Sequence, residues 1–168
     1  MGRGTSAESE ITTAREAAND KLVLAFGHLQ GAANRLEYLL GRALEEHCGI
    51  NHLTFEVLMI LGRAGPDGMS MRSIGQERVL STGGASRLVD RMEAAGLVIR
   101  GADADDRRGC RVHLTAAGED TAVRAARIHA ENVRRFFLEP LPEEHHAKFI
   151  EDLRILSHSA RDALPRLR

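Results

Sequence analysis

Ser81-Thr-Gly-Gly-Ala-Ser-Arg87-Leu-Val-Asp90-Arg-Met-Glu-Ala-Ala-Gly96-Leu-Val-Ile-Arg100 is the stretch on which the fold turns. The chain then runs through Asp103-Ala-Asp-Asp-Arg-Arg-Gly109 to Cys110-Arg-Val-His-Leu-Thr115. Ser81 is a good N-cap, and Ala85, Leu88, Val89 and Met92 recur at helical spacing, so one face of the helix packs inward. Gly96 stops it. Leu97-Val98-Ile99 begins a strand, Arg111–Leu114 returns, and the residues between form a charged hairpin tip. A capped helix followed by a basic hairpin predicts a winged helix-turn-helix, an arrangement that binds duplex DNA. The fold class expected is mostly α with a small β-hairpin wing, plus long dimerisation helices.

Upstream, a long helix is expected from about Thr13 to Glu46. Leu22, Phe26, Leu29, Ala33, Leu36, Leu40 and Leu44 alternate steps of three and four along it, as in a coiled-coil seam. Gly49 closes it, and Asn51 caps the next helix, with Phe55, Leu58 and Leu61 inward. Gly65-Pro-Asp-Gly68 is a loop, after which Ser70 caps a short helix that turns Met71, Ile74 and Val79 inward. Downstream, Thr115 caps a helix with Glu119 in its first turn and a seam of Val123, Ala126, Ala130, Val133 and Phe137. Pro140 and Pro142 break the chain before a last helix, Glu143 to Ala163, with Phe149, Leu153, Leu156 and Ala160 inward. The domain division expected is a frayed segment 1–12, a dimerisation helix 13–50, the DNA-binding module 51–114 and C-terminal dimerisation helices 115–168.

Composition sets limits. In 168 residues the net charge is only -1, so any affinity for nucleic acid must come from local arginines and not from the chain as a whole. Aromatic residues are 4% of the chain and tryptophan is absent, which argues against a single-strand binder built on stacked bases. Cys48 and Cys110 have no metal-ligand spacing, and Met1–Glu10 lack the apolar core of a secretory signal. A cytoplasmic protein with reduced thiols and no membrane span is expected.

The runs Phe55-Glu-Val-Leu-Met-Ile-Leu61, Ser86-Arg-Leu-Val-Asp-Arg-Met-Glu-Ala-Ala-Gly-Leu-Val-Ile-Arg100 and Val112-His-Leu-Thr-Ala-Ala-Gly118, with the wing between the last two, resemble the MarR family of bacterial transcriptional regulators. The resemblance implies a homodimer with recognition helices in successive major grooves of a pseudo-palindromic operator, half-site centres roughly 10 base pairs apart. It implies DNA contacts from Ser81, Thr82, Gly84, Ser86 and Arg87, with Arg91 on phosphate. In the wing, Asp106 orients Arg108 into the minor groove with Arg107 beside it. Ser70 and Arg72, opening the preceding helix, complete the set. Relatives often carry larger polar residues where this chain has Gly83-Gly84, which shifts base readout toward Ser86 and Arg87.

Many members of that family bind small phenolic or lipophilic molecules between the dimer helices and the DNA-binding lobe. By placement, this implies His28, Arg35, Tyr38, His52, Phe55 and Met59 as ligand contacts. No cofactor is expected. Neither is a metal site, since the adjacent His145 and His146 cannot point at one ion together. No catalytic residues are assigned, since the chain has no Gly-x-Ser-x-Gly, P-loop or GxGxxG. The competing reading is a helical protein-interaction module that uses a winged fold without DNA.

Overall fold

The computed structural model describes residues 11–78, 80–102 and 110–164. Two compact units emerge, Met1–Tyr38 and Leu39–Arg168. In the first, Thr13 and Glu16 form a reciprocal capping box that opens α1, Ala14–Asn19. α2, Lys21–Cys48, follows and continues into the second unit. The single helix expected from Thr13 is therefore two. Asp20 is extended, and its carboxylate accepts the N–H groups of Leu22 and Val23 at 2.9 and 3.0 Å, so it caps a new helix and interrupts the old one. Along α2, Leu22 and Phe26 are 81% and 65% exposed, whereas Leu40 and Leu44 are buried. Gly49 closes α2, its N–H on the Glu45 carbonyl.

In the second unit, Asn51 accepts the Thr54 N–H at 2.8 Å and opens α3, His52–Ala64, which buries Phe55, Leu58 and Leu61 as expected. A 3-10 turn over Gly65–Asp67 leads to β1, Met69–Ser70, then α4, Met71–Glu77, and α5, Thr82–Ala94. Ile74 of α4 is buried, while Val79 lies outside the described residues. α4 and α5 cross closely: a Cβ on Gly75 would meet Ala85 Cβ at 3.6 Å. β2, Val98–Ala102, and β3, Cys110–Leu114, form the wing hairpin, paired from Val98↔Leu114 to Ala102↔Cys110. The sheet has a third strand that the hairpin expectation omitted, in the order β1-β3-β2. β1 is two residues long, too short to show a period in sequence; its pairing with Val112 and Arg111 makes it a strand.

The core joins Leu44 of α2, α3, Ile74, the inner face of α5, Val98 and Val112 of the sheet, and Ala122 and Ala125 of α6, Ala116–Val133. The fully buried face of α6 is Gly118, Thr121, Ala122 and Ala125; of the expected seam, Ala126 packs half-buried on the core, and Val133 and Phe137 are half-buried. Val123 is 52% exposed and Ala130 is exposed as well. Small residues bring α6 against its neighbours: a Cβ on Gly118 would lie 1.9 Å from the Leu97 carbonyl oxygen. α6 ends in a π-helical turn, Arg134–Leu138, before α7, Glu143–Ala163. Phe149 and Leu153 of α7 are half-buried, with Phe149 against Phe137 at 5.5 Å between ring centres. Leu156 and Ala160 are exposed, which corrects their inward assignment; no element among the described residues covers that end of the stripe.

Candidate nucleic-acid interface

α5 is built to keep one face and not the other. Ala85, Leu88, Val89 and Met92 are at most 2% exposed, which fixes the helix against the module. Ser81 caps it by accepting the Gly84 N–H at 3.2 Å. The C-terminus is a Schellman motif: Gly96 N–H meets Glu93 O and Leu97 N–H meets Met92 O, both at 2.9 Å, with Gly96 at φ 71°. Thr115 then secures the exit. Its hydroxyl donates to Gly96 O at 2.6 Å and accepts the Gly118 N–H at 2.9 Å, tying the end of α5 to the start of α6.

On the outer side, Ser81, Thr82, Gly83, Arg87, Asp90 and Arg91 are exposed, and Gly84 and Ser86 are half-buried. The two glycines have different reasons. A Cβ on Gly84 would press the Ser81 cap oxygen at 3.2 Å, so the cap itself favours glycine there. A Cβ on Gly83 would meet nothing within 4 Å, so nothing among the described residues requires that glycine. Free N–H groups in a first turn with hydroxyls beside them suit a phosphate.

The other predicted residues fall as follows. Ser70 is half-buried, and its hydroxyl is engaged as the α4 cap, accepting the Ser73 N–H at 3.1 Å and lying 2.8 Å from the Ser73 hydroxyl. Arg72 is exposed on the first turn of α4. Asp106, Arg107 and Arg108 lie outside the described residues, between the paired ends of β2 and β3. At the base of the wing, Arg111 donates to the carbonyls of Asp67 and Gly68 at 2.7 and 3.3 Å, bracing β3 against the turn before β1.

Of the predicted ligand contacts, His28, Arg35 and Tyr38 are exposed in the first unit. In the second unit, His52 and Phe55 come together around a residue the sequence reading missed, His129 of α6. Its ring centre is 5.5 Å from His52 and 4.5 Å from Phe55. Among the described residues His129 Nδ1 is buried without a hydrogen-bond partner, and burial, aided by His52, pushes its pKa below the usual histidine value. Met59 lies elsewhere on α3, in an open groove of about 460 Å³ shared with Leu58, Leu114, Ala122 and Val123, with Arg63 and Glu119 as its charged lining. A histidine at helical spacing on a helix of small residues carries no signal that would have singled it out.

The other residue missed is Arg100 of β2. Its guanidinium pairs with Asp90 and Glu93 of α5, and its N–H donates to Glu93 Oε1 at 3.2 Å. Asp90 therefore stands on the outer face of α5 but is held from behind.

Residues 48–109 match the model of the MarR family. An uncharacterised HTH-type transcriptional regulator of Bacillus subtilis, YkoM, is 32% identical over 103 residues, 61% of this chain and 65% of that protein. The match thus spans just under two thirds of the relative's length. Among solved structures, the MarR family transcriptional regulator AbsC of Streptomyces coelicolor has a TM-score of 0.74 at 26% identity, covering 90% of this chain and 97% of its own. Sco3205 from the same organism, a MarR family regulator solved in complex with DNA, has a TM-score of 0.74 at 26% identity over 91% of this chain and 92% of its own. The family match thus falls on the helix-turn-helix and wing, and the fold is similar nearly end to end to that of MarR family transcriptional regulators.

Proposed function

We propose that the chain is a homodimeric repressor that binds a pseudo-palindromic DNA operator, its affinity altered by a small phenolic or lipophilic ligand. The observation that carries the DNA reading is α5 itself, with a fully buried inner face, a free first turn of hydroxyls and glycine, and an exposed Arg87. The DNA-bound state of Sco3205, a MarR family regulator of similar fold, supports it. In this reading Ser81, Thr82, Gly84 and Ser86 approach the major groove with Arg87, while Arg91 and Arg72 meet phosphates. Asp106, Arg107 and Arg108 serve the adjacent minor groove. Ser70 acts through its cap.

The dimer is supported by apolar side chains that one chain leaves in water. Leu22, Phe26 and Leu29 on α2 and Ile155 and Leu156 on α7 are all exposed. A second copy covering them makes 13–50 and 115–168 the dimerisation segments around the module 51–114. The ligand reading is supported by the His52–Phe55–His129 ring cluster and the apolar groove beside Met59.

The test is a gel-shift titration of the full chain against duplex DNA at rising salt. Phosphate contacts give a steep loss of affinity with salt. Arg108→Ala should weaken binding while the dimer mass by light scattering stays the same. Arg87→Ala should cost about 1–3 kcal/mol of binding and relax one base position. No salt-sensitive binding to any duplex would overturn this reading in favour of a protein-interaction module.

A further inference from the structure

Asp90 is an awkward residue for the outer face of a helix that meets DNA. It lies three residues after Arg87, and on a helix such a pair are neighbours that attract. Left alone, the Asp90 carboxylate would draw Arg87 into an ion pair and would also repel phosphates. The structure shows a different pairing. Arg100, only 27% exposed at its side chain, reaches Asp90 with one guanidinium nitrogen and Glu93 with the other. Glu93 also accepts the Arg100 backbone N–H at 3.2 Å, which holds the strand end of the clamp in place. Among the described residues Arg87 has no hydrogen-bond or ion-pair partner. Asp90 stays 58% exposed at its side chain, so its charge faces outward unless it is neutralised.

We propose that Arg100 is a positioning residue for the recognition helix: its fork holds Asp90 and Glu93, which keeps the Asp90 carboxylate off Arg87 and away from the DNA phosphates. The planar fork suits this task because it engages two carboxylates at once, which a lysine ammonium does less well. The clamp also joins α5 to β2, so the orientation of the reader is set by the strand that leads into the wing. This inference rests on the reading that α5 enters the groove.

The experiment uses the full chain and a labelled duplex selected by the wild-type protein from a random duplex library, with affinity read by fluorescence anisotropy. Arg100→Gln should lose about tenfold in affinity and relax the same base position that Arg87→Ala relaxes. Arg100→Lys should fall between it and wild type. Adding Asp90→Asn to Arg100→Gln should restore both affinity and base preference, because the carboxylate that captures Arg87 is then gone. A merely structural Arg100 would not be rescued in that way. Should Arg100→Gln fail to fold by circular dichroism, the neutral triple Asp90→Asn, Glu93→Gln, Arg100→Gln carries the test, since it leaves no unpaired charge. It should bind at least as tightly as wild type. A loss of about tenfold in the triple, or no rescue by Asp90→Asn, would mean that Arg100 touches phosphate itself or only holds the fold, and the positioning role would be wrong. If the wild-type protein selects no duplex at all, the DNA reading fails first, and this inference fails with it.

Discussion

α5 and α7 are both amphipathic, yet a single chain completes only one of them. α5 buries four apolar side chains to 2% exposure or less, whereas α7, at 21 residues, buries none. The difference lies in the surroundings and not in the helices. α5 has α4, β2 and the core strand residues on its inner side, and both its ends are tied by specific caps. α7 follows a π-helical turn and two prolines, with His146, Phe149 and Leu153 no more than half-covered. Periodicity therefore announces that a face will be buried, but not by what.

Cavity formation breaks or sharpens the contrast most directly. Leu88→Ala should destabilise the protein by about 2–5 kcal/mol in urea unfolding, at every protein concentration. Leu156→Ala should act only through association: the wild-type midpoint rises with concentration, and the variant reduces that rise. A wild-type midpoint independent of concentration would mean that α7 is as finished as α5, and the contrast would collapse.

Gly118→Ala should cost about 1–3 kcal/mol or more by calorimetry, because the new Cβ would sit 1.9 Å from the Leu97 carbonyl oxygen at the joint between α6 and the end of α5. Thr115→Ala comes next, at about 0.5–2 kcal/mol, since it removes the α6 cap and the bond to Gly96 O together. Gly83→Ala should do the opposite and stabilise by about 0.4–1 kcal/mol, as its space is open. Unchanged DNA affinity in that variant would show that close approach at Gly83 is not needed.

The smallest effect concerns pH. Burial, and then His52, lower the pKa of His129, so protonation is disfavoured in the folded state. The unfolded chain binds the proton first as pH falls. This contribution is fully present above the usual histidine value of about 6.5 and is lost as pH drops toward the lowered one. His129→Gln should flatten the acid limb of the stability curve; an unaltered limb would show that the ring is not held neutral by its burial.

Much of the interface could be read from the chain because its determinants are local. Ser81, Asn51, Ser70 and Thr115 each cap the helix they precede, and Ala85, Leu88, Val89 and Met92 all lie inward as their spacing required. Two local signals were nevertheless passed over. Thr13 with Glu16 spells a capping box, and Asp20 is a cap residue inside what looked like one helix. The α6 face was misread for a physical reason: Gly118, Thr121, Ala122 and Ala125 have the helical spacing, but their small side chains weigh less than Val123 in a hydrophobic pattern. At Gly118 the close approach of the Leu97 carbonyl leaves no room for a Cβ, which no count of apolar residues registers.

Taken by itself, the sequence determined where helices begin and end, which face of α5 is buried, and that a charged hairpin follows it. These depend on caps, glycines and periods that act within a few residues. Only the tertiary structure decided that a two-residue strand joins the wing, that His129 completes a ring cluster with His52 and Phe55, and that Arg100 takes the charge of Asp90 and Glu93. Each of these joins elements that pack separately. A hydrogen bond or ion pair between them exists only once the shared core has set their distance.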